Sequence, residues 1–152
     1  MKDFLLIANQ NAITYKEFFP LLKEKKVFMG VSKPKEYILT DGTTQKFGNI
    51  CWFSTIASPA RRKLTLSATY DPEKYPKYDN YEAIEVSRIK DIPMDYEGVM
   101  GCPITVLEYD LDNVEVVGKL VNGAGAEYYD YGRPTIRGGV EVYARVLIKR
   151  TN

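Results

Sequence analysis

The apolar residues of this chain come in short runs separated by polar and turn-forming stretches. The first run, Phe4-Leu5-Leu6-Ile7-Ala8, begins almost at residue 1. Such a run suits a strand buried on both faces, as in a parallel sheet covered by helices. The polar Asn9-Gln10-Asn11 then marks a loop. Thr14 and Glu17 have capping-box spacing, and Phe18, Phe19, Leu21 and Leu22 supply an apolar helix face that closes on Lys23-Glu24-Lys25-Lys26. Pro20 lies inside that run and predicts a kink or an early break. Val27-Phe28-Met29 reads as the next strand, which completes a β-α-β opening.

Beyond it the pattern turns to strands. Glu36–Thr40, the Asp41-Gly42 turn and Gln45–Phe47 predict a hairpin. Asn49–Ser54 reads as another buried strand. Pro59 to Pro76 is read as loop with one strand near Leu64–Ser67, and Tyr81–Val86 as a strand. Pro103 opens a short helix through Glu108, and Val114–Val117 is a strand. The glycine-rich stretch Gly118–Gly139 predicts a long surface loop, and Val140–Lys149 a final strand of period-two alternation. The fold class is mixed α/β, richer in strand than in helix.

Composition narrows the chemistry. The chain has 152 residues and no histidine, which removes Ser-His-Asp and Cys-His catalysis and most zinc sites. Two cysteines, Cys51 and Cys102, are too few for a disulfide framework or a CxxC metal site. No apolar run approaches the ~18 residues of a membrane-spanning helix, and no signal peptide is evident. The expectation is a soluble, cytoplasmic protein. The net charge of +1 hides an uneven distribution: residues 1–80 carry +5, residues 81–118 carry −7 and residues 119–152 carry +3. Two basic segments flanking an acidic one would present a positive face to a polyanion, or simply form ordinary solvated surfaces.

Asn122-Gly123-Ala124-Gly125 resembles a nucleotide-binding glycine loop only loosely, because no helix start follows it; a turn is the plainer reading. Asp91, Asp95 and Glu97 read as a solvated acidic stretch. The aromatic residues carry more. Tyr70, Tyr75, Tyr78 and Tyr81 interleave with Lys74 and Lys77 and follow the basic Arg61-Arg62-Lys63. Aromatic rings stack on bases while cations hold phosphate, the chemistry of a nucleic-acid surface. The alternative is a sheet covered by tyrosines with their hydroxyls in water.

Several strings shift that balance. FLLIANQNAITYKEFFPLLKEKKVFMG, WFSTIASPARRKLTL, YDPEKYPKYDNYEAIEVSRIKDIPMDYEGVMGCPITVLEYD and VYARVLIKR resemble the C-terminal portion of EcoRI-type adenine-specific DNA methyltransferases. The resemblance covers nearly the whole chain and is weakest over Gly118–Gly139; YPKYDNYEAI and IPMDYEGVMGCPITVLE are its most specific strings. It implies a Rossmann-like, S-adenosylmethionine-binding sheet whose C-terminal strands and helix lie in residues 1–58. A strand-rich target-recognition region, residues 59–152, would pack on it. Phe4–Ala8 would be a late parallel strand, Thr14–Lys25 the following helix, and Val27–Met29 with Asn49–Ser54 the terminal hairpin.

The resemblance also implies what this stretch leaves out. The family's cofactor-binding glycine motif and its Asn/Asp-Pro-Pro-Phe/Tyr motif precede the matched segment, and this chain has no Pro-Pro pair; Asp71-Pro72-Glu73 is no substitute. The expectation is therefore a piece of an N6-adenine modification methylase of a restriction–modification system. That piece would hold double-stranded DNA, carry no catalytic residue, and bind no S-adenosylmethionine by itself. An N-terminal catalytic half, or a second copy, would cover the exposed sheet edge at Phe4–Ala8. A stand-alone interaction module and a decayed remnant are the alternatives. The expected DNA contacts are Arg61, Arg62, Lys63 and Lys77 to phosphate and Tyr78, Asp79, Asn80 and Tyr81 to base or sugar. Asn9 and Asn11, at a strand's C-terminal end, would line the adenine pocket. Arg133, Arg137, Arg145 and Arg150 would extend the basic face.

Overall fold

The first apolar run does form a strand, β1 (Leu5–Asn9), but not a doubly buried parallel one. These are features of a computed structural model that describes residues 2–121 and 130–151. The Asn9 side chain caps the 3-10 turn Gln10–Thr14 by accepting the Asn11 N–H at 2.8 Å. The Thr14 hydroxyl donates back to the Asn11 carbonyl, and the N-cap of the next helix is Phe18. The helix is correspondingly short: α1 (Phe19–Lys23) has Pro20 at its start. Pro20 does not kink a longer helix; with its fixed φ and missing N–H it opens a short one, where no partner is required. β2 (Phe28–Met29), β3 (Glu36–Ile38), β4 (Thr44–Lys46) and β5 (Ile50–Ser54) follow. The β3–β4 hairpin forms as expected around Asp41-Gly42, with Gly42 at φ +86°.

Both β1 and β2 pair antiparallel with β5, which lies between them, so β1 and β2 run parallel to each other. Central β5 buries Cys51 and Phe53, and Phe18 meets the Phe53 ring edge-on at 4.9 Å. With Ile13, Phe19, Leu22, Val27 and Met29 these residues make the core of one unit, Met1–Arg62. β1 has a single strand neighbour among the described residues, and its side chains stay open: Leu5 is 66% exposed and Leu6 and Ile7 are each 39% exposed. An apolar run alone does not say whether its covering layer is present.

The second unit, Lys63–Asn152, begins without the strand expected near Leu64–Ser67; only single bridges, Lys63 to Asp110 and Ala68 to Pro93, tie that stretch down. Its strands are β6 (Ile84–Glu85), β7 (Met100–Pro103), β8 (Val114–Leu120), β9 (Thr135–Ile136), β10 (Val140–Glu141) and β11 (Arg145–Arg150). Pro103 leads into a 3-10 turn over Ile104–Glu108, the expected short helix in tighter form. One sheet has the order β6-β7-β11-β8, with β6 parallel to β7 and the other pairs antiparallel; β9 and β10 form a separate hairpin. The expected single strand Val140–Lys149 is thus two, β10 and β11. Central β11 buries Val146, Leu147 and Ile148 completely, so the alternation read from its sequence is absent.

The predicted surface loop over Gly118–Gly139 is also corrected where it is described. Gly118 and Lys119 belong to β8, and Asp130 and Ile136 are buried. Asn122–Gly125 lies outside the described residues. Among the described residues no helix is long and apolar enough to cross a membrane, and no cluster of three or more His, Cys, Asp or Glu side chains could hold a metal ion.

Gly101 on β7 sits where no side chain fits. A β-carbon there would overlap the buried Tyr78 hydroxyl, which is itself held by a hydrogen bond to Glu85. Gly101→Ala is expected to destabilise the protein by at least about 1–3 kcal/mol through overpacking, read as a lowered urea midpoint.

Candidate nucleic-acid interface

Residues 75–85 form the strip on which the expected base contacts lie, and β6 anchors it. Glu85 ends β6 facing Arg145 at the start of β11, and the two make a bidentate pair: Nε to Oε1 at 2.7 Å and Nη2 to Oε2 at 3.2 Å, both side chains buried. The Tyr78 hydroxyl donates to Glu85 Oε1 at 2.8 Å. Burial beside that carboxylate pushes the Tyr78 hydroxyl's pKa far up, so it stays protonated and donating. Arg145 therefore does not extend a basic face; its charge is consumed inside the sheet. Nearby, burial also pushes the Cys102 thiol up, and its Sγ–H points at the Val146 carbonyl.

Tyr78 is 5% exposed, so its ring offers little surface for stacking on a base. It packs instead with Ala83, Leu120, Ile136 and Leu147. The three residues after it reach the segment around β9 and β10. The Asp79 N–H donates to the Thr135 carbonyl, and its carboxylate accepts the N–H groups of Gly138 and Gly139 at 3.0 and 2.8 Å. Those bonds hold the Asp79 carboxyl below the ordinary aspartate value, that from Gly138 first. Asn80 donates from Nδ2 to the Arg133 carbonyl at 2.9 Å, and the Tyr81 ring stacks on Tyr131 at 4.7 Å. Asp79, Asn80 and Tyr81 are brought together as fasteners of one hairpin.

The cations are spread more widely. Arg61 is half-buried, donates to the Met29 carbonyl at 2.9 Å and lies over the Phe28 ring. Arg62 is exposed. Lys63 pairs with Asp112 and Lys77 with Glu82, both on open surface. Arg133 pairs with Glu141, and Arg150 with Glu97 at 3.4 Å. Arg137 is exposed and makes no ion pair among the described residues. Of the interleaved tyrosines, Tyr75 is buried with its hydroxyl on the Asp91 carbonyl, and Tyr70 leans on both Tyr75 and Tyr96. Tyr75 and Tyr78 thus differ from the sheet-covering reading too, since both are buried with their hydroxyls on protein acceptors instead of water. The role of Glu85 had no sequence signal, because a lone acid next to apolar residues looks like any solvated strand position. Gly138-Gly139 fell at the end of the stretch read as a long surface loop, and nothing marked Asp79, about sixty positions earlier, as its partner.

In the first unit a pocket of about 640 Å³ is lined by Asp3, Phe4, Leu5, Phe28, Gly30 and Trp52 among others. Neither Asn9 nor Asn11 lines it; they lie at the other end of β1, in the 3-10 cap.

Comparison with known proteins bears on this surface. A family model described as adenine-specific methyltransferase EcoRI matches residues 1–151. The type II methyltransferase M.EcoRI of Escherichia coli is 43% identical over 127 residues, covering 70% of this chain and 39% of that protein. The type II methyltransferases M.MpnI of Mycoplasma pneumoniae and M.MgeORF184P of Mycoplasma genitalium are 31% and 32% identical over 144 residues, covering 80% of this chain and 45% of each. The chain thus spans less than half the length of these relatives. No solved structure matches.

Two outcomes test the geometry of the strip. Arg145→Met would leave the Glu85 carboxylate buried without its partner, a loss of about 3–5 kcal/mol; the double variant with Glu85→Leu should recover part of it in thermal unfolding. Asp79, with its lowered pKa, anchors the hairpin above the ordinary carboxylate range and releases it as pH falls through that lowered value. The Gly138 and Gly139 amide shifts should therefore titrate with a midpoint below that of an ordinary aspartate.

Proposed function

Because the chain belongs to the EcoRI adenine-specific methyltransferase family, we propose that it supplies the DNA-holding, target-recognition part of an adenine DNA methyltransferase. The observation that carries this reading is a family match running from residue 1 to 151 in a chain that spans only 39–45% of its relatives and contains no Pro-Pro pair. The motif that grips the adenine amino group and stacks on the flipped base needs that pair. Residues outside these 152 would contribute it.

The described residues do not fit an S-adenosylmethionine site. Such a site wants a strand, a glycine turn and a helix N-terminus in succession. The α-helix described here, Phe19–Lys23, is five residues long and opens on Phe18-Phe19-Pro20 with no glycine. The cofactor supplies the methyl group in this chemistry; what this chain contributes is binding and orientation of the DNA.

Two features support the division of labour. Antiparallel β5 between parallel β1 and β2 suits the closing edge of a methyltransferase sheet, with further strands adding beyond β1. There the exposed Leu5, Leu6 and Ile7 and the free backbone edge fit a covering strand from an N-terminal catalytic half or from a second copy. In the second unit, exposed cations and the braced hairpin give a surface that would meet phosphate first, with base-edge contacts following. Lys63 and Lys77 are exposed in that unit, and Arg62 is exposed in the first unit, where Arg61 holds local structure and contributes less.

The test is a fluorescence-anisotropy titration of the 152-residue chain with duplex DNA at two salt concentrations, with S-adenosylmethionine calorimetry beside it. The expected result is micromolar binding that weakens steeply with salt, and no heat from the cofactor. Failure to bind duplex at low salt would remove the recognition role and leave an interaction module or remnant of the family. Tight cofactor binding would overturn the assignment of the cofactor site elsewhere.

A further inference from the structure

The hairpin of β9 and β10 is two residues long on each strand. A ribbon that short is marginal in water by itself, and ordering it costs backbone entropy. It is nevertheless tied down from outside at several points. The Asp79 carboxylate takes both the Gly138 and Gly139 amides, Asn80 holds the Arg133 carbonyl, and Tyr81 stacks on Tyr131. Beneath it Ile136 is buried in the cluster with Tyr78. Everything at its apex, Arg137 through Val140, is exposed. The fasteners therefore order a tip that buries nothing in return.

That tip carries a left-handed arginine. Arg137 has φ +53°, a conformation that glycine adopts freely and a β-carbon disfavours. Two glycines follow it immediately, so the turn is not short of permissive residues. The strained position projects a cation that has no ion pair among the described residues, while its neighbour Arg133 is engaged by Glu141. Just past β10, Tyr143 is 85% exposed. Held backbone, an uncommitted cation and an open aromatic ring are what a groove-entering element needs.

We propose that the β9–β10 hairpin is a duplex-DNA-contacting finger in which Arg137 binds a backbone phosphate and Asp79 acts as a positioning residue that sets the tip. The inference rests on the DNA-holding reading above and names the element that does the holding. It also changes the role expected of Asp79, an anion poorly suited to face phosphate directly.

The charge on Asp79 makes the test discriminating. If it acted only through charge, Asp79→Ala would remove a negative charge near DNA and strengthen binding; as a positioning residue, its loss weakens binding. Anisotropy titrations with one duplex would compare the wild-type chain, Asp79→Ala, Arg137→Asn and Lys90→Gln across a salt series. Asparagine tolerates the left-handed backbone, so the fold at residue 137 is preserved, and Lys90→Gln removes one exposed charge elsewhere on the same unit. Backbone amide spectra would establish that each variant is folded. Arg137→Asn should weaken binding severalfold and lower the salt slope by about 1. Asp79→Ala should weaken it too, with the Gly138 and Gly139 amides losing protection from exchange, and Lys90→Gln should leave affinity nearly unchanged. Wild-type binding with an unaltered Arg137→Asn variant, an equal loss from Lys90→Gln, or tighter binding by Asp79→Ala would overturn the finger while leaving the DNA-holding reading intact. Absence of wild-type binding at low salt would overturn both.

Discussion

The buried pair of Glu85 and Arg145 is the interaction on which the second unit turns. It joins a two-residue strand, β6, to the central strand β11 across β7, between residues sixty positions apart. Two ions taken out of water at this depth are stabilising only when their geometry is good and their remaining lone pairs are met. Both conditions hold: the guanidinium is bidentate, and Tyr78 supplies a further hydrogen bond to the carboxylate. Because Glu85 fixes Tyr78, it also fixes where the next residues start, and Asp79, Asn80 and Tyr81 reach the β9–β10 hairpin from there.

This dependence gives the surface an internal logic. The buried ion pair contributes to register more than to raw stability, since apolar substitutes of similar volume often serve a core as well. Gly101 belongs to the same arrangement, because any larger residue would displace the Tyr78 hydroxyl. A charged network inside the sheet, a ring packed on its glycine, and an exposed tip held by a carboxylate form one chain of constraints from core to surface. Each link narrows the positions available to the next.

The first unit is organised differently. Its centre is β5, with Phe53 and Cys51 buried and the Phe18 ring set edge-on against Phe53. Its outer strand β1 carries the longest-looking core signal in the chain and yet remains open to water. An exposed apolar edge of this kind is an association surface. The first unit thus leaves an apolar strand edge open, and the second leaves an exposed hairpin tip held by a carboxylate.

Family membership was legible in the strings YPKYDNYEAI and IPMDYEGVMGCPITVLE, and the strand-rich α/β class in the short apolar runs between turns. The β3–β4 hairpin was legible too, because Asp41-Gly42 is a local signal whose geometry needs nothing from the rest of the chain. Only tertiary structure decided that β1 pairs antiparallel with β5, that Pro20 opens a helix, and that Arg145 turns inward to Glu85. Only it placed the Tyr78 ring in the core and the Asp79 carboxylate on the Gly138 and Gly139 amides. The reason is physical. Turns, caps and propensities act over a few residues and are written where they act, whereas burial and ion pairing depend on residues sixty positions away, which no local pattern encodes.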